Sequence, residues 1–249
     1  MALNITDCSS SDKDLRIYAV RYGQSMFLKR FIFHSDKSGS SVPISWMFYY
    51  MEYGDKKILV DTGFNNTGLV KMFGINDFKD PLAILQDNKI PADSITDVII
   101  THSHFDHIGN AHRFKNARFI INRDELSTLN RSGSMKEVST FLVGNSNVIV
   151  FDDSFVLHDI FNIKKIGGHS KGSSAVFFSY RNEKYCITGD EIYSPDNITQ
   201  STGNGSVVNH QNNMNFINKL KDEKIIPFIL HDSKFIGNKE RFIRVFPLN

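Results

Sequence analysis

Apolar positions along the chain fall into short runs separated by polar, turn-forming stretches. "RIYAVRYG" (16–23) predicts a strand. "HSDKSGSSVP" (34–43) is rich in turn formers and predicts a loop. "ISWMFYYMEYGDKKILVDTG" (44–63) predicts two strands around a "YGDKK" turn. Residues 64–79 mix Gly/Asn-rich breaks with scattered apolar residues. They predict a long surface loop, uncommon unless it is functional. "DPLAILQDNK" (80–89) predicts a helix capped by Asp80, with Pro81 in its first turn and Leu82 and Leu85 on one face.

"DVIIT" (97–101) and "ARFIIN" (117–122) predict short strands, and "RDELSTLN" and "MKEVSTFL" predict helical turns. Four more strands are expected at "NVIVF" (147–151), "NIKKI" (162–166), "SSAVFFSY" (173–180) and "KYCIT" (184–188). "NNMNFINKLKDE" (212–223) predicts a helix and "IIPFIL" (225–230) a last strand. Residues 1–14 read as a flexible arm. No linker, composition shift or repeat divides the chain, so residues 1–249 are expected to form a single domain.

Polar groups follow the ends of apolar strands. His102 comes after "VIIT", Asp190 after "KYCIT" and His231 after "IIPFIL", while "GGHSKGSS" (167–174) joins two strands. Side chains at strand ends converge at one edge of a sheet, where ligands commonly sit. "THSHFDHIGN" (101–110) crowds His102, His104, Asp106 and His107 together. Such groups resist burial unless something compensates them, and a metal ion does. Adjacent residues such as Asp106 and His107 share neither a helix face nor a strand face. A tight loop that bridges two metals therefore fits the run better than four ligands of one.

Two ions about 3.5–4 Å apart need further ligands. His169, Asp190 and His231 are the candidates. His102, His104 and His169 make one consistent set, Asp106, His107 and His231 a second, with Asp190 as a bridge. Zinc suits these donors, although iron, manganese or cobalt accept the same types. A lone histidine is ordinarily a surface or core residue, which is the reading of His34, His112, His158 and His210. Asp61 in "ILVDTG" either forms a turn or accepts the free N–H of a ligand histidine. Phe105 and the run containing Trp46 and Phe48 are candidates for an apolar pocket, with core packing the default for most of that run.

Composition changes little in this picture. The chain is 41% hydrophobic and 22% charged, ordinary for a soluble globular protein. A net charge of +2 argues against a broad basic face for nucleic acid. Cys8 and Cys186 define neither a disulfide framework nor a cysteine-rich zinc motif. The polar, acidic start does not look like a signal peptide. The apolar runs fall short of the roughly 20 residues that span a bilayer. These features lead to the expectation of a cytoplasmic, soluble protein with no nucleic-acid or membrane partner, and they leave a monomer and a homodimer both open.

"THSHFDHIGN", with "ILVDTG" before it and His169, Asp190 and His231 after it, resembles the metallo-β-lactamase superfamily. The resemblance implies an α/β fold, a four-layer αβ/βα sandwich with metals at one edge of two packed sheets. Zinc β-lactamases often carry Cys in place of Asp190 and Arg in place of His107. Thioesterases of the glyoxalase II type share all seven ligands but continue into a helical segment after the last one. The chain is most similar to the N-acyl-homoserine lactone hydrolases. Shared features are its size, the H-x-H-F-D-H run, a short tail with "RVFP" (244–247), and an Asp-x-x-Tyr pattern at Asp190–Tyr193.

That likeness implies two Zn²⁺ ions and a hydroxide, held between them, that opens a lactone ring. Tyr193 would face the substrate carbonyl, and Asp106 would carry the proton to the leaving oxygen. The N-terminal arm, the stretch 31–53 and the "GINDFKDP" loop depart from the family, and they should shape the acyl pocket. The alternatives are a thioesterase, a phosphodiesterase or another lactonase, and, further off, an iron oxidoreductase of the same fold.

Overall fold

The computed structural model describes residues 14–133 and 135–247, so the arm expected at 1–14 lies outside the described residues except for Asp14. Strands β1 (Leu15–Leu28) and β2 (Ser41–Tyr53) pair antiparallel along almost their whole length, joined through a one-turn helix α1 (Lys29–Ile32). Their side chains alternate between two apolar clusters, as a period of two requires. Met47, Tyr49 and Met51 enter one cluster, and Trp46, Phe48 and Tyr50 the other. Both faces of β2 are covered, which is why its aromatic run is unbroken.

β3 (Lys56–Val60) completes the hairpin, and α2 (Thr67–Met72) and α3 (Pro81–Asp87) follow. β4 (Asp97–Ile100), α4 (Phe105–Ile108), β5 (Arg118–Asn122), α5 (Arg123–Ser132), α6 (Lys136–Val143) and β6 (Val148–Phe151) come next. β3, β4, β5 and β6 run parallel to one another. Helices cover one face of them and the second sheet the other, so each reads as a continuous apolar run rather than an alternating one.

The second half contributes β7 (Ser154–Leu157), β8 (Phe161–Lys165), β9 (Ser174–Tyr180), β10 (Glu183–Ile187), α7 (Pro195–Thr199), α8 (His210–Asp222), β11 (Ile226–Phe228) and β12 (Phe242–Phe246). Among the described residues the strands form two sheets, ordered β12-β1-β2-β3-β4-β5-β6 and β11-β10-β9-β8-β7. One core cluster lies between the sheets, with Ile17, Ile99, Ile163 and Val176 among its members. A second packs α3, α5 and α6 on the outside of the first sheet. A third packs α8 on the outside of the second, through Phe216, Ile217 and Leu220. The result is the four-layer αβ/βα sandwich.

The structure differs from expectation in several places. β1 runs on to Leu28 because β2 pairs with it there. The stretch 64–79 is not all loop: Asn66 caps α2 by accepting a hydrogen bond from the Leu69 amide. Ser154–Leu157 forms β7, paired with β8. The run at 225–230 is not the last strand, since β12 pairs with β1 from the far end of the chain. Asp80 and Pro81 start α3 as their chemistry suggests. Among the described residues no helix is long and apolar enough to cross a membrane.

Candidate metal centre

Five connections leave the C-terminal ends of β3, β4, β8, β10 and β11 and meet at one edge of the sandwich. They carry Asp61, the 102–107 run, His169, Asp190 and His231. The seven candidate ligands form two sets. His102, His104, His169 and Asp190 offer donor atoms that all lie within 4.8 Å of one another, and so do Asp106, His107, Asp190 and His231. Asp190 belongs to both. Its Oδ1 lies 3.1 Å from His107 Nε2 and 3.3 Å from His231 Nε2, while Oδ2 lies 3.7 Å from His102 Nε2 and 3.6 Å from His169 Nε2. Asp106 Oδ2 stands 3.2 Å from His107 Nε2 and 3.6 Å from His231 Nε2. All seven are buried except His104.

The 102–107 run is not a simple loop. His104 is extended and His102 lies outside any helix or strand, whereas Asp106 and His107 lie in the single turn of α4. Helix neighbours sit about 100° apart around the axis. On a one-turn helix that spread lets both flank a point beside its end. Gly109 closes the turn where a Cβ would stand 2.4 Å from the Phe105 carbonyl oxygen and 2.7 Å from Phe64 Cβ.

The far nitrogens of four histidines are tied to groups that settle the tautomer. His107 Nδ1–H donates to Asp61 Oδ2 at 2.7 Å. His231 Nδ1–H donates to the Ser45 carbonyl at 2.8 Å, and His169 Nδ1–H to the Ser206 carbonyl at 2.5 Å. The Thr101 hydroxyl donates to Asp61 Oδ2, so its oxygen accepts from His102 Nδ1–H. In the neutral ring each Nε2 then presents a lone pair to the cluster, the arrangement metal-ligating histidines adopt. His104 presents Nδ1 instead, 2.9 Å from His102 Nε2 and 3.0 Å from His169 Nε2.

Burial and the neighbouring histidines push the His102 imidazole well below its usual range. Burial likewise brings His169 down to about 4. Neutral rings with facing lone pairs repel unless a cation lies among them. In the second set His107 Nε2, His231 Nε2 and Asp190 Oδ1 are buried and have no hydrogen-bond partner. Burial opposes charge on His107, yet Asp190, Asp106 and Asp61 raise it well above the ordinary value. The cluster is short of positive charge, and its donor set fits divalent metal.

Tyr193 is 7% exposed. Its ring stacks on His231 with centroids 4.9 Å apart, and its hydroxyl donates to Asp190 Oδ2 at 2.6 Å. Next to the cluster lies a cavity of about 240 Å³, bounded by Phe27, Ile44, Trp46, Phe73 and Phe105. Phe105 and Trp46 therefore line it as the sequence suggests. Phe48 does not. It is fully buried and packs towards Tyr22, two residues further along the covered face of β2. Phe27, Ile44 and Phe73 are added, brought in by β1, the start of β2 and the end of α2. A second, polar groove of about 920 Å³ shares Ile44, Tyr193 and His231 with the first.

The four other histidines lie outside the cluster. His158 pairs with Asp97, His112 approaches Glu137, and His34 stacks on His210. Two buried carboxylates, Glu125 and Glu191, carry no sequence signal because their partners are distant in the chain. Glu191 Oε1 accepts from the Gly168 and His169 amides and the Ser173 hydroxyl, so it holds the His169 turn.

The family model for the metallo-β-lactamase superfamily matches residues 45–227. This chain belongs to that superfamily. Its cluster of His and Asp donors is of a kind that could hold divalent metal. Within the superfamily it is similar to the N-acyl homoserine lactonase AiiA of Bacillus thuringiensis subsp. kurstaki, at 24% identity over 93% of this chain and 97% of the relative. A solved quorum-quenching N-acyl homoserine lactone lactonase superposes with a TM-score of 0.75 at 22% identity, over 89% of this chain and 94% of that one. A probable metal-dependent hydrolase from Staphylococcus aureus superposes equally well, with a TM-score of 0.75 at 16% identity, over 95% and 99%. At these identities the superpositions establish the fold.

Proposed function

We propose that this chain is a metal-dependent hydrolase that opens the lactone ring of N-acyl-homoserine lactones. The observation that carries the reading is Asp190. Its two oxygens face two separate ligand sets, and the Tyr193 hydroxyl sits on the same carboxylate beside an apolar cavity. The relatives named N-acyl homoserine lactonases, matched along nearly the full chain, support the choice of substrate. Residues His102, His104 and His169 would hold one cation and Asp106, His107 and His231 a second, with Asp190 shared. Zinc is the first choice for this donor set. Two such cations, when bound, make water nucleophilic at neutral pH and polarise the carbonyl it attacks.

The chain's own groups do the rest. Phe27, Trp46, Phe73 and Phe105 exclude water from one side of the reacting bond and pack the apolar part of the substrate. Tyr193, with burial keeping its hydroxyl protonated, turns its O–H from Asp190 to the carbonyl oxygen as charge develops there. Asp106 takes the proton released by the attacking water and returns it to the alkoxide released from the ring, so that the product is a ring-opened hydroxy acid. Asp61, Ser45 and Ser206 keep the histidine rings oriented. The polar groove receives substrate parts that extend past Tyr193.

The test combines metal counting with proton release on short- and long-chain acyl-homoserine lactones, run beside thioester and phosphodiester substrates. Two metals per chain and fast turnover of the lactones alone are expected. Preferential turnover of a thioester or phosphodiester would overturn the lactone assignment. A redox-active iron centre without hydrolysis would overturn the hydrolase reading itself.

A further inference from the structure

Glu125 is 1% exposed, and its hydrogen bonds go to Ser103, Ser170 and Gly172 rather than to a candidate ligand side chain. It nonetheless ties together the segments that carry three of them. Its Oε2 accepts from the Ser103 amide at 2.8 Å and the Ser103 hydroxyl at 2.7 Å. Ser103 stands between His102 and His104. Its Oε1 accepts from the Ser170 hydroxyl and the Gly172 amide, both at 2.7 Å. These two stand one and three residues after His169. The approach is close enough to require glycine, since a Cβ at position 172 would stand 3.0 Å from Glu125 Cγ and 2.3 Å from Asn122 Oδ1. The second set is held by other means, His107 by Asp61 and His231 by the Ser45 carbonyl.

We propose that Glu125 is a positioning residue that sets the cation affinity of the His102–His104–His169 set and leaves the Asp106–His107–His231 set untouched. The proposal rests on the two-cation reading above. A carboxylate offers acceptors only and satisfies all four donors. A glutamine of the same shape turns an NH₂ group towards one pair of them. That leaves buried donors facing a donor, and the loop bearing His169 shifts away from the one bearing His102 and His104.

The experiment titrates Zn²⁺ into the full chain, stripped of metal, against a chromophoric chelator. Glu125→Gln is placed in two backgrounds. His231→Ala leaves the first set intact, and His169→Ala leaves the second. Partners that orient ligands typically contribute about 10–100-fold in metal affinity. A loss of that size is expected in the His231→Ala background, with affinity unchanged in the His169→Ala background. A merely structural role would lower both affinities together and would lower the urea midpoint of the metal-free chain to match. Equal loss in both backgrounds, or loss in neither, overturns the proposal. Ser103→Ala removes one of the four hydrogen bonds and serves where Glu125→Gln does not fold. It should show a smaller loss confined to the first set, and an even loss again overturns the proposal. A chain with all ligands intact that binds fewer than two Zn²⁺ would overturn the two-cation reading instead.

Discussion

His107 owes its orientation to a residue in an uncommon backbone state. Asp61 sits at φ 68°, a left-handed conformation in which Asn and Asp are several-fold enriched over other residues with a side chain. The turn-forming and hydrogen-bonding roles that its sequence context leaves open are therefore both present at one position. From that backbone the carboxylate accepts from the Thr101 amide and hydroxyl as well as from His107. Asp61→Asn preserves the conformation and removes the charge. It should weaken metal binding by about 10–100-fold with little change in fold, which metal-competition titration and circular dichroism will show together. At Tyr193 the ring and the hydroxyl have separable work. The ring packs on His231 and Phe27, and the hydroxyl faces Asp190. Tyr193→Phe should keep the metal content and lower kcat on a lactone by about 10²–10³-fold, the usual effect of deleting one donor to a developing oxyanion. Steady-state kinetics with metal analysis on the same sample checks both halves.

Short elements do most of the positioning. The one-turn helix α4 brings Asp106 and His107 into the cluster, and it ends where Gly109 lets the chain pass under Phe64. Gly109→Ala forces a Cβ against the Phe105 and Gly63 carbonyl oxygens and the Cβ of buried Phe64. It should destabilise the chain by about 1–3 kcal/mol, the usual range for overpacking, read as a lower urea midpoint. The ligand-bearing strands β4, β10 and β11 were legible in the sequence because each is a compact apolar run followed at once by a polar group. The helix α2 was not, because its cap at Asn66 lies in a stretch dense with other turn formers. Neither was β12, whose pairing with β1 joins opposite ends of the chain and leaves no local pattern. The same limit hid Phe27 and Phe73 from the cavity lining and put Phe48 there in place of the core.

Two sheets meeting at one edge bring seven side chains from four separate segments onto a common centre. Such a centre stabilises the folded state alone, because the unfolded chain does not preform it. Stripping the metal should therefore lower the melting temperature, and restoring it should raise stability in step with free metal. Ligand at about 1,000 times its Kd adds about 4 kcal/mol. Calorimetry with and without chelator measures this, and an unchanged transition would mean that the cluster holds no metal in solution. The 102–107 run and the strand-end placement of His169, Asp190 and His231 were enough, from the sequence alone, to indicate metal chemistry, and the superfamily entered through the resemblance those residues carry. That follows from local chemistry, since donor types at fixed spacing carry their meaning without the fold. Which oxygen of Asp190 faces which set, which ring nitrogens stay free, and the joining of two loops by Glu125 were decided only in the tertiary structure. Those are relations between residues remote in the chain, and only the packing of the two sheets sets the distances between them.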